Sequence, residues 1–225
     1  IFNDGTDVDA GHVRVYALTN QPSVFGGDTA GAGSEDGDAI TGVVTAIDPN
    51  GLADGHPYSV TVGPVNGVAT VEPDGSWSYT PNPNFNGIDS FTITVTDALG
   101  DTIAQVITVT VTGANDAPTA VDVFAAAKKN ASGLVVLEGA DIDADTLTYS
   151  IVSGPAEGVL TDPDNGDAPV TTGAITSQRV TYTPNPGYTG IDTFTYTVND
   201  GDLESKARTA TVSVFDDYRS TQRQI

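Results

Sequence analysis

Residues 79–97 read YTPNPNFNGIDSFTITVTD, and residues 182–200 read YTPNPGYTGIDTFTYTVND. The two stretches agree at 13 of 19 positions at a constant offset of 103. Self-similarity at a domain-sized period marks a tandem duplication. Each copy reads as a strand end, a Pro/Asn/Gly turn and a second strand. In the first, Phe91, Ile93 and Val95 alternate with Thr92, Thr94 and Thr96; in the second, Phe194, Tyr196 and Val198 alternate with Thr195, Thr197 and Asn199. Period two with β-branched and aromatic residues predicts a half-buried antiparallel strand. The prolines withhold donors and stop the ladder. Gly87 and Gly190 let the chain turn back, and Phe85 and Tyr188 plug the end of a core.

Outward from this pair the chain divides by composition. Its 225 residues are enough for two domains of ordinary size. Turn signals separate expected strands at sandwich spacing: 42–47, 58–62, 67–71, 76–80, 90–96 and 103–112 in the first repeat. The second gives 120–124, 134–137, 147–152, 158–161, 170–176, 178–183, 193–198 and 207–215. No stretch sustains a helical period, so the class is all-β. Trp77 and Tyr79 share a face and anchor the first core. The Gly/Asp/Ser/Ala-rich run 21–38 reads as a linker or loose edge. Asp162–Thr172 adds about a dozen residues to the second repeat, read as a surface hairpin. The domains predicted are an N-terminal strand or tail (1–20), sandwiches at 21–115 and 116–217, and a polar tail (218–225). Val13 and Val15 alternate with His12, Arg14 and Tyr16 and are expected to be buried, against the first domain or in a neighbouring subunit. The Ile1 start and the lack of Met point to a piece of a longer protein.

Charge narrows the function. Lys plus Arg number 8 and Asp plus Glu 30, a formal net charge of −22. Such a surface repels phosphate backbones, which argues against nucleic acid as a partner. Cysteine is absent, so neither disulfides nor thiolate metal sites occur. No apolar run is long enough to span a membrane. No nucleophile elbow or phosphate loop is present, and His12 and His56 lie apart without metal spacing. Paired carboxylates abound without an apolar pocket to split their pKa values, so no catalytic residues are assigned. Only five acids are Glu; the Asp excess suits turn chemistry, an acidic exterior, or Ca²⁺, a hard cation that takes loop oxygens.

The pattern NDAP, D-x-D, LTYSIVSGP and YTPNPGYTGIDTFTYTVNDGD resembles the cadherin-like, Ig-type tandem repeats of large bacterial surface adhesins. It is also similar to the repeats named after Vibrio, Colwellia, Bradyrhizobium and Shewanella. The resemblance covers roughly residues 35–215 and implies two Greek-key β-sandwiches in an extended rod. It further implies Ca²⁺ at the domain junctions. Its ligand positions fall on Glu35, Asn115, Asp116, Asp141, Asp143 and Asp200 at the central junction. They fall on Asp48, Asn50 and Asp97 at the N-terminal end of the first domain. The chain departs from the pattern in three places. The middle acidic motif of true cadherins is missing, Asn50 replaces an Asp, and Lys129 stands where the second repeat's A-strand acid belongs. The role implied is an extracellular, non-catalytic adhesive or spacer repeat at the cell surface, whose partners are other domains or copies of the same protein. Two rivals are a filament subunit joined by β-strand addition through residues 1–20, and a module binding cell-surface or matrix polysaccharide. An exposed row of Tyr16, Tyr58 and Tyr218 would favour the polysaccharide.

Overall fold

A computed structural model describes residues 19–55 and 57–216. Val13 and Val15, with His12, Arg14 and Tyr16, lie outside the described residues, as do His56 and the tail at 218–225. The chain forms two compact units, Ile1–Ala114 and Asn115–Ile225. Each is a β-sandwich.

The first unit has eight strands: β1 (Val24–Gly27), β2 (Ala30–Ser34), β3 (Ile40–Ile47), β4 (Tyr58–Val62), β5 (Gly67–Val71), β6 (Ser76–Pro81), β7 (Gly87–Thr96) and β8 (Thr102–Thr112). They make one sheet ordered β1-β3-β6-β5 and another ordered β2-β8-β7-β4. Inward residues of both sheets meet in one core that contains Trp77, Tyr79, Phe91, Ile93, Val95 and Ile107. The Trp77 ring meets Phe91 edge-on with centroids 5.6 Å apart, and Tyr79 stacks on Phe91 at 6.4 Å. These are the distances aromatic pairs prefer.

The run read as a linker or loose edge, 21–38, holds two edge strands. β1 pairs with β3, and β2 runs parallel to β8. Glycine weakens an isolated strand, which is why the composition misleads. Here the glycines make room. A Cβ on Gly31 would stand 2.8 Å from Trp77 Cη2, one on Gly33 2.7 Å from Ile40, and one on Gly42 of β3 2.4 Å from Trp77 Cζ2. The indole fills the space over Gly31 and Gly42, and the Ile40 side chain that over Gly31 and Gly33.

The second unit repeats the plan with additions. Its strands are β9 (Thr119–Ala120), β10 (Val123–Lys128), β11 (Gly133–Val136), β12 (Gly139–Ala140), β13 (Thr148–Ser153), β14 (Gly158–Asp162), β15 (Ala168–Val170), β16 (Gly173–Ile175), β17 (Arg179–Pro184), β18 (Gly190–Asn199) and β19 (Arg208–Phe215). The sheets are β10-β19-β18-β13-β16, β11-β17-β14-β15 and the short pair β12-β9. β10 runs parallel to β19, as β2 does to β8. The expected strand at 170–176 is two strands that join different sheets: β15 extends β14 and β16 extends β13. β15 and β16 therefore extend the two sheets past the edges at which β4 and β5 end them among the described residues of the first unit.

Both units turn on the same buried carboxylate, the Asp of the Gly-Ile-Asp step in the repeated stretch. Asp89 is 7% exposed and Asp192 5%. Asp89 accepts from the backbone N–H of Val65 (3.2 Å), Asn66 (2.7 Å) and Ser90 (2.8 Å), and from the Tyr79 hydroxyl (3.1 Å). Asp192 accepts from Ala156 (3.1 Å), Glu157 (2.9 Å), Thr193 (2.9 Å) and the Tyr182 hydroxyl (2.9 Å). Burial pushes the Asp89 carboxyl up, but the three N–H donors and the hydroxyl outweigh it and the net shift is downward. Burial and the carboxylate push the Tyr79 hydroxyl up to about 12.

Trp77 is the single tryptophan, so its fluorescence reports unfolding of the first unit. We expect Gly42→Ala to lower that unit's stability by about 2 kcal/mol in urea melts followed at Trp77, because the added methyl overpacks the indole. Asp89→Ala should cost about 3 kcal/mol, since it strands buried N–H donors. With its native pKa depressed, Asp89 contributes stability that is present above the unfolded carboxylate value near ~4 and is lost as pH falls through the native value. The acid limb of the stability–pH curve should therefore flatten in Asp89→Asn.

Candidate metal centre

The N-terminal end of each unit is built from the same three loops. In the second unit Asp141 follows β12 and opens an Asx-turn: its Oδ1 accepts from Asp143 N (2.9 Å) and Asp145 N (3.2 Å). The loop is thus a tight turn, and Ala144 takes a left-handed φ of 64° to close it. Asp143 Oδ2 accepts from Asp116 N at 2.8 Å. Asn115 Nδ2 donates to Asp200 Oδ2 at 3.0 Å. Asp200 Oδ1 takes the N–H of Asp202 (2.7 Å) and Leu203 (2.6 Å). The Leu203 N–H, more than any other contact, holds the Asp200 carboxyl below its ordinary value, so it is charged at neutral pH.

The structure therefore joins Asp116 to Asp143 and Asp141, and Asn115 to Asp200. It adds Asp145, which the sequence reading missed. Carboxylate oxygens of Asp141, Asp143 and Asp145 lie within 4.8 Å of one another. Charges so close repel by about 1 kcal/mol per pair even at water-like dielectric. Asp141 Oδ2 is buried with no hydrogen-bond partner. Its Oδ1 serves the turn and its Oδ2 is left for a ligand. An oxygen-only donor set with one orphaned, buried carboxylate oxygen fits Ca²⁺.

The first unit repeats this wiring with different residues. Asn50 N donates to Asp48 Oδ1 (2.7 Å), and Gln21 N donates to Asn50 Oδ1 (2.9 Å). Asn20 Nδ2 donates to Asp97 Oδ2 and to Asp101 Oδ2, each at 2.7 Å. Asp97 Oδ1 accepts from Leu99 N (2.8 Å) and Asp101 N (2.9 Å). Asp48, Asn50 and Asp97 thus share one end of this unit, and Asn20 and Asp101 belong with them. Asn20 does for Asp97 what Asn115 does for Asp200. Its amide is also the largest cause of the lowered Asp97 pKa.

Glu35 lies just beyond β2 in the first unit, 2% exposed. Its Oε1 accepts from Ala114 N (2.8 Å), and its Oε2 has no hydrogen-bond partner. In the second unit Lys129 takes the matching place. Glu35 N donates to the last carbonyl of β8 (Thr112) and Lys129 N to the last carbonyl of β19 (Phe215), both at 2.9 Å. The Lys129 ammonium pairs with Asp216 at 3.1 Å, so this end carries its own cation.

Residues 20–113 match the family model described as bacterial cadherin-like domain, and residues 115–214 match that described as bacterial Ig domain. The chain is a tandem of cadherin-like and Ig-like repeats. The integrin beta-like protein A of Dictyostelium discoideum is 31% identical over 137 residues, which is 52% of this chain and 7% of that protein. Mouse cadherin-23 (EC22-24) aligns at TM-score 0.48 and 20% identity over 87% of this chain and 65% of that one. An endo-fucoidan hydrolase of glycoside hydrolase family 107 aligns at TM-score 0.35 and 18% identity over 91% of this chain and 31% of that one. The tandem thus spans less than two thirds of each of these proteins. Cadherin-like and Ig-like domains are typically non-catalytic and typical of extracellular or surface proteins. Among the described residues no helix is long and apolar enough to cross a membrane.

If the Asn20 amide depresses Asp97, removing it must show in the titration. We expect Asn20→Ala to raise the Asp97 carboxyl pKa toward its ordinary value, followed by carboxyl-carbon NMR.

Proposed function

We propose that this tandem is a structural or adhesive repeat of a bacterial surface protein, without catalysis, and that Ca²⁺ bound at its acidic loops stiffens it. The observation that carries the reading is the Asp141, Asp143 and Asp145 group around the orphaned Asp141 Oδ2. Asp200 and the linker residues Asn115 and Asp116 are wired to the same end, so an ion there would fix the linker as well as the loop. Glu35 extends the reading to the first repeat. It grips Ala114, the residue before Asn115, and keeps one oxygen unpartnered. A divalent ion at the Asp141 loop would remove the carboxylate repulsion there and supply what Asp141 Oδ2 lacks. Each core lies apart from these loops, so both sandwiches fold without the ion. The partners proposed are neighbouring domains or copies of the same protein, outside the cell. The aromatic row that would favour polysaccharide is not supported at its one described member, since Tyr58 faces the core.

Calorimetry should find Ca²⁺ binding below millimolar concentration, with the Asp141-loop site lost in the Asp141→Asn, Asp143→Asn double variant while both sandwiches stay folded. Amide exchange at residues 114–117 should slow when Ca²⁺ is added and recover with chelator. A binding stoichiometry unchanged in the double variant, or linker exchange indifferent to Ca²⁺, would reject the reading.

A further inference from the structure

Asn-Gly occurs four times: Asn50-Gly51, Asn66-Gly67, Asn86-Gly87 and Asn165-Gly166. Such a step can rearrange without an enzyme. The glycine peptide nitrogen attacks the asparagine Cγ, ammonia leaves, and a succinimide ring forms. Water then opens the ring, at one carbonyl to aspartate and at the other to isoaspartate. The absence of a Cβ on glycine leaves the attacking nitrogen unshielded.

The fold sorts the four steps. Gly67 opens β5 in register with Pro81, and a Cβ there would meet Thr80 O at 2.6 Å. Asn66 is held on both sides, its N–H on Asp89 and its carbonyl taking Asn82 N. Gly87 opens β7 in register with Val111. Gly51 is in neither position. It closes the exposed turn Asp48-Pro49-Asn50-Gly51 through one 3.1 Å bond to Asp48 O, with φ +92° and nothing within 4 Å of where a Cβ would stand. Gly166 is equally open. Asn50 differs from Asn165 in its surroundings. Its Oδ1 takes Gln21 N and its own N–H goes to Asp48 Oδ1, as Asp143 takes Asp116 N and bonds Asp141. Its Nδ2, the nitrogen that leaves, makes no hydrogen bond among the described residues.

We propose that Asn50 is a self-converting residue: in the folded protein Gly51 N displaces ammonia from its side chain, and the aspartate product gives the first repeat the paired carboxylates that Asp141 and Asp143 form in the second. The conversion stands on the geometry alone; its consequence for metal rests on the Ca²⁺ reading above. Oδ1 is retained as an atom through ring closure and opening, so the aspartate product keeps an acceptor for Gln21 N. The isoaspartate product carries its carboxylate on a lengthened backbone and breaks the turn.

Peptide mass mapping of the full chain, incubated warm near neutral pH, tests the conversion. In the folded protein the peptides holding Asn50 and Asn165 should gain acid and lose ammonia while those holding Asn66 and Asn86 do not; in urea all four should convert. An Asn50 that stays amide in folded protein but converts in urea overturns the proposal, as does equal conversion of Asn66 or Asn86 without urea. Calcium titration of Asn50→Asp against Asn50→Gln tests the consequence. The acid variant should tighten binding at the first repeat by about tenfold or more. No difference between the two overturns the metal half. Loss of binding at the Asp141 loop in both would instead count against the functional reading and leave the mapping result intact.

Discussion

A buried aspartate held by its own turn is the interaction on which each repeat depends. Asp89 and Asp192 each sit at the start of a ten-residue inner strand, where the chain has just crossed from one sheet to the other. A charge buried there would be costly without partners. Each carboxylate takes two N–H groups from the loop before β5 or β14, a third from the next residue, and the hydroxyl of the core tyrosine. One side chain thereby joins the loop, both sheets and the aromatic core. Tyr79 and Tyr182 are wholly buried, so each hydroxyl also needs this partner.

Much of the fold was legible because β-sandwich strands alternate and this chain alternates clearly at Phe91–Val95 and Phe194–Val198. The aspartate lock was visible as letters but not as an interaction. An Asp after Gly-Ile in a Pro/Asn/Gly run reads as turn chemistry, and only burial separates an Asx-turn from a charge walled in by donors. The strand at Ala30–Ser34 was hidden for a different reason. Its glycines lower local strand propensity, and what they make room for is tertiary: Ile40 packs over Gly31 and Gly33, and the Trp77 ring, more than forty residues away, over Gly31. No local pattern carries that volume match. The inserted segment was read as a surface hairpin, and that its two strands would join different sheets is again a tertiary fact.

At the candidate site the residues given by resemblance include ones that the hydrogen bonds join: Asp141, Asp143, Asp116 and Asp200 on one unit, Asp48, Asn50 and Asp97 on the other. Asp145 was missed although Asp-x-Asp-x-Asp stands in the sequence, because period two on an extended loop does not foretell a turn that folds the third carboxylate back. Asn20 was missed because residues 1–20 were set apart from the first repeat. Its counterpart Asn115, bonded to Asp200 as Asn20 is to Asp97, is the signal that could have placed it.

The two repeats keep the lock and differ at their ends, and electrostatics accounts for the order of those differences. The lock is buried, so losing any partner leaves an unsatisfied group in a low-dielectric interior. The ends are wet, where charge can be balanced in several ways at small cost. One end gathers three aspartates and leaves an oxygen open. A second replaces one acid with Asn50 and lets the Asn20 amide bridge two others. A third puts the Lys129 ammonium where Glu35 stands in the first repeat and pairs it with Asp216. Each solves the same problem, that carboxylate-rich loops must converge where strands end. The loop that gathers the three aspartates is the one at which we propose a counter-ion from outside.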